Sequence, residues 1–173
     1  MPSVEEIRLS YKPDKVAVLF IGESAPAKGT FFYTGDSLCT YTREAFFLAF
    51  PGRIPSSAKE FLRLFQRVGC YLDDLCLVPV NDRAAQERSR LHRESMPGLA
   101  ARVREYQPQA VVCMLKGGEF PAIVSEAVRR AGLADVPFRI TPFGGFGNQG
   151  KYREALREYL LEFERRGILR VPE

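Results

Sequence analysis

The sequence predicts an α/β fold in three layers, with helices on both faces of a mostly parallel, four-stranded central sheet. Two observations carry this expectation. Short runs that are apolar at nearly every position recur along the chain, as strands buried on both faces do. Between them the apolar period lengthens to that of helices, and parallel neighbours need crossovers of helix length, so the alternation implies a sheet covered on both sides.

The first strand is read in Lys15-Val16-Ala17-Val18-Leu19-Phe20-Ile21, bounded by Asp14 and Gly22. The second spans Tyr71 to Val80, more mixed in character, with Pro79 marking its end. Ala110 to Leu115 is apolar throughout, and Val136 to Ile140 is a shorter fourth strand. Ser57 and Glu60 have capping-box spacing, after which Phe61, Leu62, Phe65 and Val68 form one stripe that Gly69 stops. Pro121 suits a first helical turn, and the stripe Ile123, Val124, Ala127, Val128, Ala131 ends at Gly132. A last helix carries Tyr152, Leu156, Tyr159, Leu160 and Phe163 before Gly167. A further helix or helix pair fills Arg83 to Tyr106, with a break expected near Met96-Pro97-Gly98.

With 173 residues, no repeat and no linker, residues 1–173 are read as one domain. No apolar run approaches the roughly 20 residues that span a bilayer, and the N-terminus lacks a signal-peptide pattern, so a cytoplasmic protein without a membrane partner is expected. Cys39, Cys70, Cys76 and Cys113 show no CxxC pair and sit mostly in apolar runs, which reads as buried thiols rather than a metal or cluster site. No cofactor and no metal are expected. The formal charge of +4 suits a polyanionic partner.

In open α/β sheets ligands bind outside the carboxyl ends of the strands, so the segments after each strand are where chemistry is sought. These are Gly22-Glu23-Ser24-Ala25-Pro26 after the first, Pro79-Val80-Asn81-Asp82 after the second, Lys116-Gly117-Gly118 after the third, and Thr141 to Lys151 after the fourth. The glycines allow backbone amides to approach an anion, although neither cluster has the Walker pattern or a GxGxxG after the first strand.

The stretch LFIGESAP resembles the first motif of the uracil-DNA glycosylase superfamily, most closely the branch reading G-E-A-P-G. Phe31-Phe32-Tyr33 falls where that superfamily carries a ring that stacks on an extruded base. YLDDLCLVPVN is similar in place to its base-reading strand, VVCMLKGG to its third strand, and TPFGGFGNQGKYREAL to the last motif, which leads into a helix and enters the minor groove. The resemblance covers about residues 15 to 165. It departs at Thr141-Pro142, where the family has His-Pro-Ser, and the only histidine, His92, lies far off in a polar segment. The cysteine spacing does not match the iron–sulfur set of the G-E-A-P-G branch.

The resemblance implies a monomeric DNA glycosylase that hydrolyses the N-glycosidic bond of a flipped uracil or other deaminated or damaged base. Glu23 would stabilise the sugar cation and hold water, with Asn148 taking part of the missing histidine's work. Phe32 and Tyr33 would stack on the base, and Asp74, or Asn81 beyond it, would read its edge. A carboxylate there accepts from an exocyclic amine better than it pairs with a uracil carbonyl. Lys116, Gly117, Gly118, Gly145, Gly147, Gln149, Lys151 and Arg153 would hold the backbone of double- or single-stranded DNA. Arg83, Arg88, Arg90 and Arg93 would extend that surface, but their interleaved acids read as a solvated helix face. Two alternatives stay open: a member that binds nucleic acid without cleaving it, and an α/β enzyme of a small phosphorylated metabolite.

Overall fold

The computed structural model describes residues 1–173. In chain order the elements are α1 (Val4–Ser10), β1 (Val18–Gly22), α2 (Ser37–Ala49), α3 (Ala58–Arg67), β2 (Cys70–Asp74), α4 (Ala85–Tyr106), β3 (Ala110–Cys113), α5 (Phe120–Arg130), β4 (Phe138–Ile140) and α6 (Gln149–Arg165), with a 3-10 turn at Phe32–Thr34. All strand pairs are parallel, in the order β2-β1-β3-β4. The two purely apolar runs are the two central strands, and the mixed second run lies on an edge.

From β1 the chain travels through α2 and α3 to β2 on one side, then returns through α4 across β1 to β3. Right-handed crossovers taken in opposite directions put their helices on opposite faces. Accordingly α4 packs with α5, while α2 packs with α3 and α6, giving the three layers. The direction of winding reverses between β1 and β3, so the crevice expected of such a sheet opens beyond their carboxyl ends.

Under α2 and α3 the core is aromatic. The Phe65 ring lies 5.2 Å from Phe20, 5.3 Å from Phe32, 5.9 Å from Phe46 and 5.8 Å from Phe61, tying β1, the 3-10 turn and both helices together. All four cysteines are buried and free.

Three expectations are corrected. The second strand stops at Asp74 rather than Val80: after Cys76 the segment turns away, leaving Leu77 and Val78 exposed, and Pro79 beyond them has no N–H with which to rejoin the ladder. No break occurs near Pro97, and α4 is one helix. The carbonyl that Pro97 leaves unpaired belongs to exposed Arg93, which water can serve, while buried His92, Leu99, Ala100 and Val103 hold the helix on both sides. The capping box at Ser57 is half formed. Its hydroxyl accepts from the Glu60 amide at 3.2 Å, but the Glu60 carboxylate returns to that hydroxyl, not to the Ser57 amide.

Two helices were not expected from the sequence. The complete capping box is at the start of α1, where Ser3 Oγ accepts from the Glu6 amide and the Glu6 carboxylate accepts from the Ser3 amide. In α2, capped by Asp36, the buried positions Cys39, Thr42, Phe46 and Ala49 have helical spacing. Exposed Phe47 and Leu48 hide that stripe. No helix is long and apolar enough to cross a membrane.

Phe65 is fully buried at the centre of its aromatic group. Phe65→Ala is expected to lower the unfolding free energy by about 3–5 kcal/mol, read as a shift of the urea midpoint with little change in slope.

Candidate active site at the carboxyl edge of the sheet

β1 and β2 run in register, so that Gly22 faces Asp74 across the pair. Registered residues of parallel neighbours project to the same face, and the side chain of Asp74 therefore comes down over Gly22. A Cβ at position 22 would sit 2.5 Å from Asp74 Oδ1, which explains the glycine before the acid of the first motif. Past the strands the pairing continues, with the amides of Leu75 and Cys76 donating to the carbonyls of Gly22 and Glu23 at 2.9 Å each. Ser24 Oγ accepts from the Val80 amide at 3.2 Å. The backbone that carries Glu23 is thus held by the segment following β2.

Over this edge lies a cavity of about 730 Å³, within the usual range for small-ligand sites. Glu23 and Asp74 line it, along with Tyr41, Phe143, Phe146 and Gln149. A smaller adjoining cavity of about 420 Å³ shares Glu23 and Arg88 and continues towards Gly117 and Gly118.

The two carboxylates meet opposite surroundings. Glu23 is bound through both oxygens by the Arg88 guanidinium, and its Oε1 is 2.7 Å from His92 Nε2. A carboxylate only accepts, so Nε2 carries the hydrogen of that bond. Burial alone would raise the Glu23 carboxyl, but the hydrogen bonds and charges of Arg88 and His92 outweigh it and bring it below the ordinary carboxylate range. Asp74 is only 5% exposed. Burial pushes its carboxyl up to about 7 despite the opposing pull of Arg8, with Asp73 and Glu5 adding to the rise.

Arg8, itself 2% exposed, reaches Asp74 Oδ2 at 2.5 Å and Asp73 Oδ1 at 3.4 Å, and it also pairs with Glu5. Asp73 accepts from Arg102 at 2.7 Å and from the Tyr106 hydroxyl at 2.9 Å through Oδ2. Arg102 also donates to the Asp74 carbonyl. Adjacent acids at the end of an edge strand are therefore enclosed by cations from α1 and α4.

The other expected site residues divide. Glu23, Asp74, Asn81, Gly145 and Gln149 do line the main cavity, and Gly117 and Gly118 line the adjoining one. Lys116, Gly147 and Lys151 are exposed. Phe32 and Tyr33 do not face either cavity and are core residues. Phe32 packs on Phe65, while the Tyr33 hydroxyl accepts from the Leu72 amide at 2.7 Å and donates to its carbonyl at 3.0 Å, closing the outer edge of β2. The rings that do line the cavity are Tyr41, Phe143 and Phe146. Asn148 is the N-cap residue of α6 and lies outside both linings. Arg153 is paired with Glu44 at 2.5 Å and lies over the Tyr41 ring, so it props the cavity wall.

The largest correction concerns the histidine. Thr141 is fully buried and lines neither cavity, but His92 comes back to Glu23 from α4, together with Arg88 one turn earlier. Arg83 and Arg90 pair with Glu87, and Arg93 with Glu119, as a solvated face does. A usable signal exists in the sequence: a helix following a strand begins at the carboxyl edge, so its first turns flank the site, and Arg88 and His92 share a face at i, i+4 there. No three His, Cys, Asp or Glu side chains come together as a metal site would require.

Neither a scan against protein-family models nor a search of curated proteins finds a match to this chain.

Two outcomes follow from the geometry. Arg88→Met should let burial dominate at Glu23, moving its carboxyl titration upward in a ¹³C NMR titration. The depressed Glu23 carboxyl contributes stability above the ordinary carboxylate range and loses it on acidification, so the variant should show a weaker acid-side loss. Tyr33→Phe should cost about 1–3 kcal/mol in denaturant unfolding, because the Leu72 amide loses its partner, with ligand binding at the cavity unchanged.

Proposed function

We propose that the domain is a DNA base-excision glycosylase of the uracil-DNA glycosylase type, acting on a flipped base. The observation that carries this reading is Glu23: a carboxylate kept ionised beside His92, in a cavity at the carboxyl edge whose floor is a second carboxylate of opposite tendency. Carboxyl groups driven apart in this way mark acid–base and charge-stabilising roles. The resemblance of LFIGESAP to the family's first motif points the same way.

In the proposed reaction the C1′–N bond of the nucleotide breaks with its electron pair going to the base, and water oxygen bonds to C1′. The negative Glu23 stabilises the cationic sugar between these events. In the resting chain Arg88 occupies both Glu23 oxygens, so a water proton reaches Glu23 only when Arg88 swings away. A DNA phosphate is a natural competitor for that half-exposed guanidinium. His92 stays on Oε1 as a donor and keeps the carboxylate oriented, and the proton that Glu23 takes from water passes through solvent to the departing base.

The loop between β4 and α6 supports a duplex partner. Phe146 is 95% exposed and holds a left-handed φ of 52°, and its ring lies 5.8 Å from that of Phe143 at the cavity rim. A protruding aromatic pair beside a base-sized cavity suits insertion into the stack vacated by a flipped base. Exposed Lys116 and Lys151 suit backbone contact.

A second reading, binding without cleavage, is favoured by the Arg88 clamp on Glu23. One assay separates them. Duplexes and single strands carrying uracil, hypoxanthine or other altered bases are incubated with the protein, then cleaved with alkali at abasic sites. Release is expected, with Glu23→Gln and His92→Gln each slower by about 10²-fold or more. Binding without release from any substrate would leave the second reading in place of the first.

A further inference from the structure

We infer that Arg8 is a positioning residue that sets which ligands the cavity accepts: it takes one oxygen of Asp74 and leaves the other as a bare acceptor, suited to a heterocycle presenting an amine to the floor. The inference rests on the base-binding reading above and names the substrate class that follows from it.

Asp74 Oδ2 is committed to Arg8 at 2.5 Å. Oδ1 accepts no hydrogen bond within the chain and lies over Gly22 at the cavity floor. That oxygen is open to the cavity, where water serves it in the free protein, and a ligand that displaces the water must return a donor, because an acceptor desolvated and left unpaired is costly. An exocyclic amine satisfies it. A uracil-like edge also brings carbonyl lone pairs against the same oxygen, which repel it.

α1 turns a charged side chain, not an apolar one, into the protein. Arg8 is its one buried side chain, while Leu9 on the same helix is exposed. Its Nε is buried without a partner. Buried ion groups of this sort stabilise little beyond what apolar packing would give, so the arrangement calls for another reason. Fixing Asp74 supplies it. A planar two-nitrogen fork spans Asp73 and Asp74 at once, which orients the second carboxylate as well as opposing its protonation.

The charged and titratable groups around Asp74 are Arg8 and Glu5 from α1, Asp73 and Tyr71 from β2, Arg102 from α4 and Glu23 beyond β1. With its carboxyl near 7, Asp74 is a bare acceptor above that pH and a hydrogen-bond donor below it. Above it the cavity prefers amines, and below it carbonyls become acceptable.

The test is equilibrium binding of deoxycytidine and deoxyuridine by NMR shift perturbation, at pH 8 and pH 6, with no excision read. Wild type should favour deoxycytidine at pH 8 by about tenfold, the worth of one charge-assisted bond, and less at pH 6. Arg8→Gln should abolish or invert the preference at pH 8, and Arg8→Lys should restore part of it. A purely structural Arg8 would weaken both nucleosides alike and leave their ratio unchanged, which would overturn the inference. Should Arg8→Gln not fold, Asp74→Asn replaces it: an amide offers donor and acceptor, so the preference should collapse at both pH values, and its persistence would overturn the inference. So would wild type that binds neither nucleoside or favours deoxyuridine at pH 8. A protein that discriminates but never excises leaves the inference standing and removes the glycosylase reading; one that excises with an Arg8-independent ratio does the reverse.

Discussion

Two adjacent carboxylates, Asp73 and Asp74, are buried at the end of an edge strand, and much of the molecule is arranged around keeping them there. Like charges on neighbouring residues repel, and each also gives up water. α1 brings Arg8, α4 brings Arg102 and Tyr106, and β1 ends in a glycine because no other residue leaves room for the Asp74 carboxylate. A chain with no use for charge at this place would fill it with apolar side chains at no loss of stability. The fold instead brings Arg8 from α1 and Arg102 and Tyr106 from α4 to hold it.

α4 is the element through which this arrangement reaches the first motif. Its first turns carry Arg88 and His92 to Glu23, and its fifth carries Arg102 to Asp73. The helix must stay unbroken for both ends to be placed by one rigid rod of 22 residues, and it does so with a proline in the middle. Pro97 is tolerated because it falls on the exposed side. The Glu23 carboxylate and the backbone that carries Asp74 are thereby referred to a single support.

The sheet was legible because its two central runs are apolar at successive positions, a pattern that only burial on both faces produces. α5 and α6 were legible from stripes closed by Gly132 and Gly167, both at left-handed φ. α2 was not, since Phe47 and Leu48 are exposed and blur its stripe. At the site, position relative to strand ends found Glu23 and Asp74. It failed for Phe32 and Tyr33, because an aromatic run after a loop reads alike whether it stacks on a ligand or seals a sheet edge. It failed for Arg88 and His92 for another reason: their neighbours are a true solvated face, and local charge pattern does not tell which residue of such a face turns back over the sheet.

That last failure bears on the histidine that the resemblance leads one to expect after β4. A residue at the start of α6 would approach the cavity from the face that carries α2 and α3, whereas His92 approaches Glu23 from the α4 side. Only the position of the imidazole next to the acid matters to proton transfer, not the element that supplies it. With an imidazole delivered from α4, the β4–α6 loop carries no histidine of its own. Its Gly145 and the exposed Phe143 and Phe146 form a rim of the cavity instead. The acid of LFIGESAP keeps a histidine, delivered from the opposite layer, and it arrives with an arginine that any activity at Glu23 must first displace.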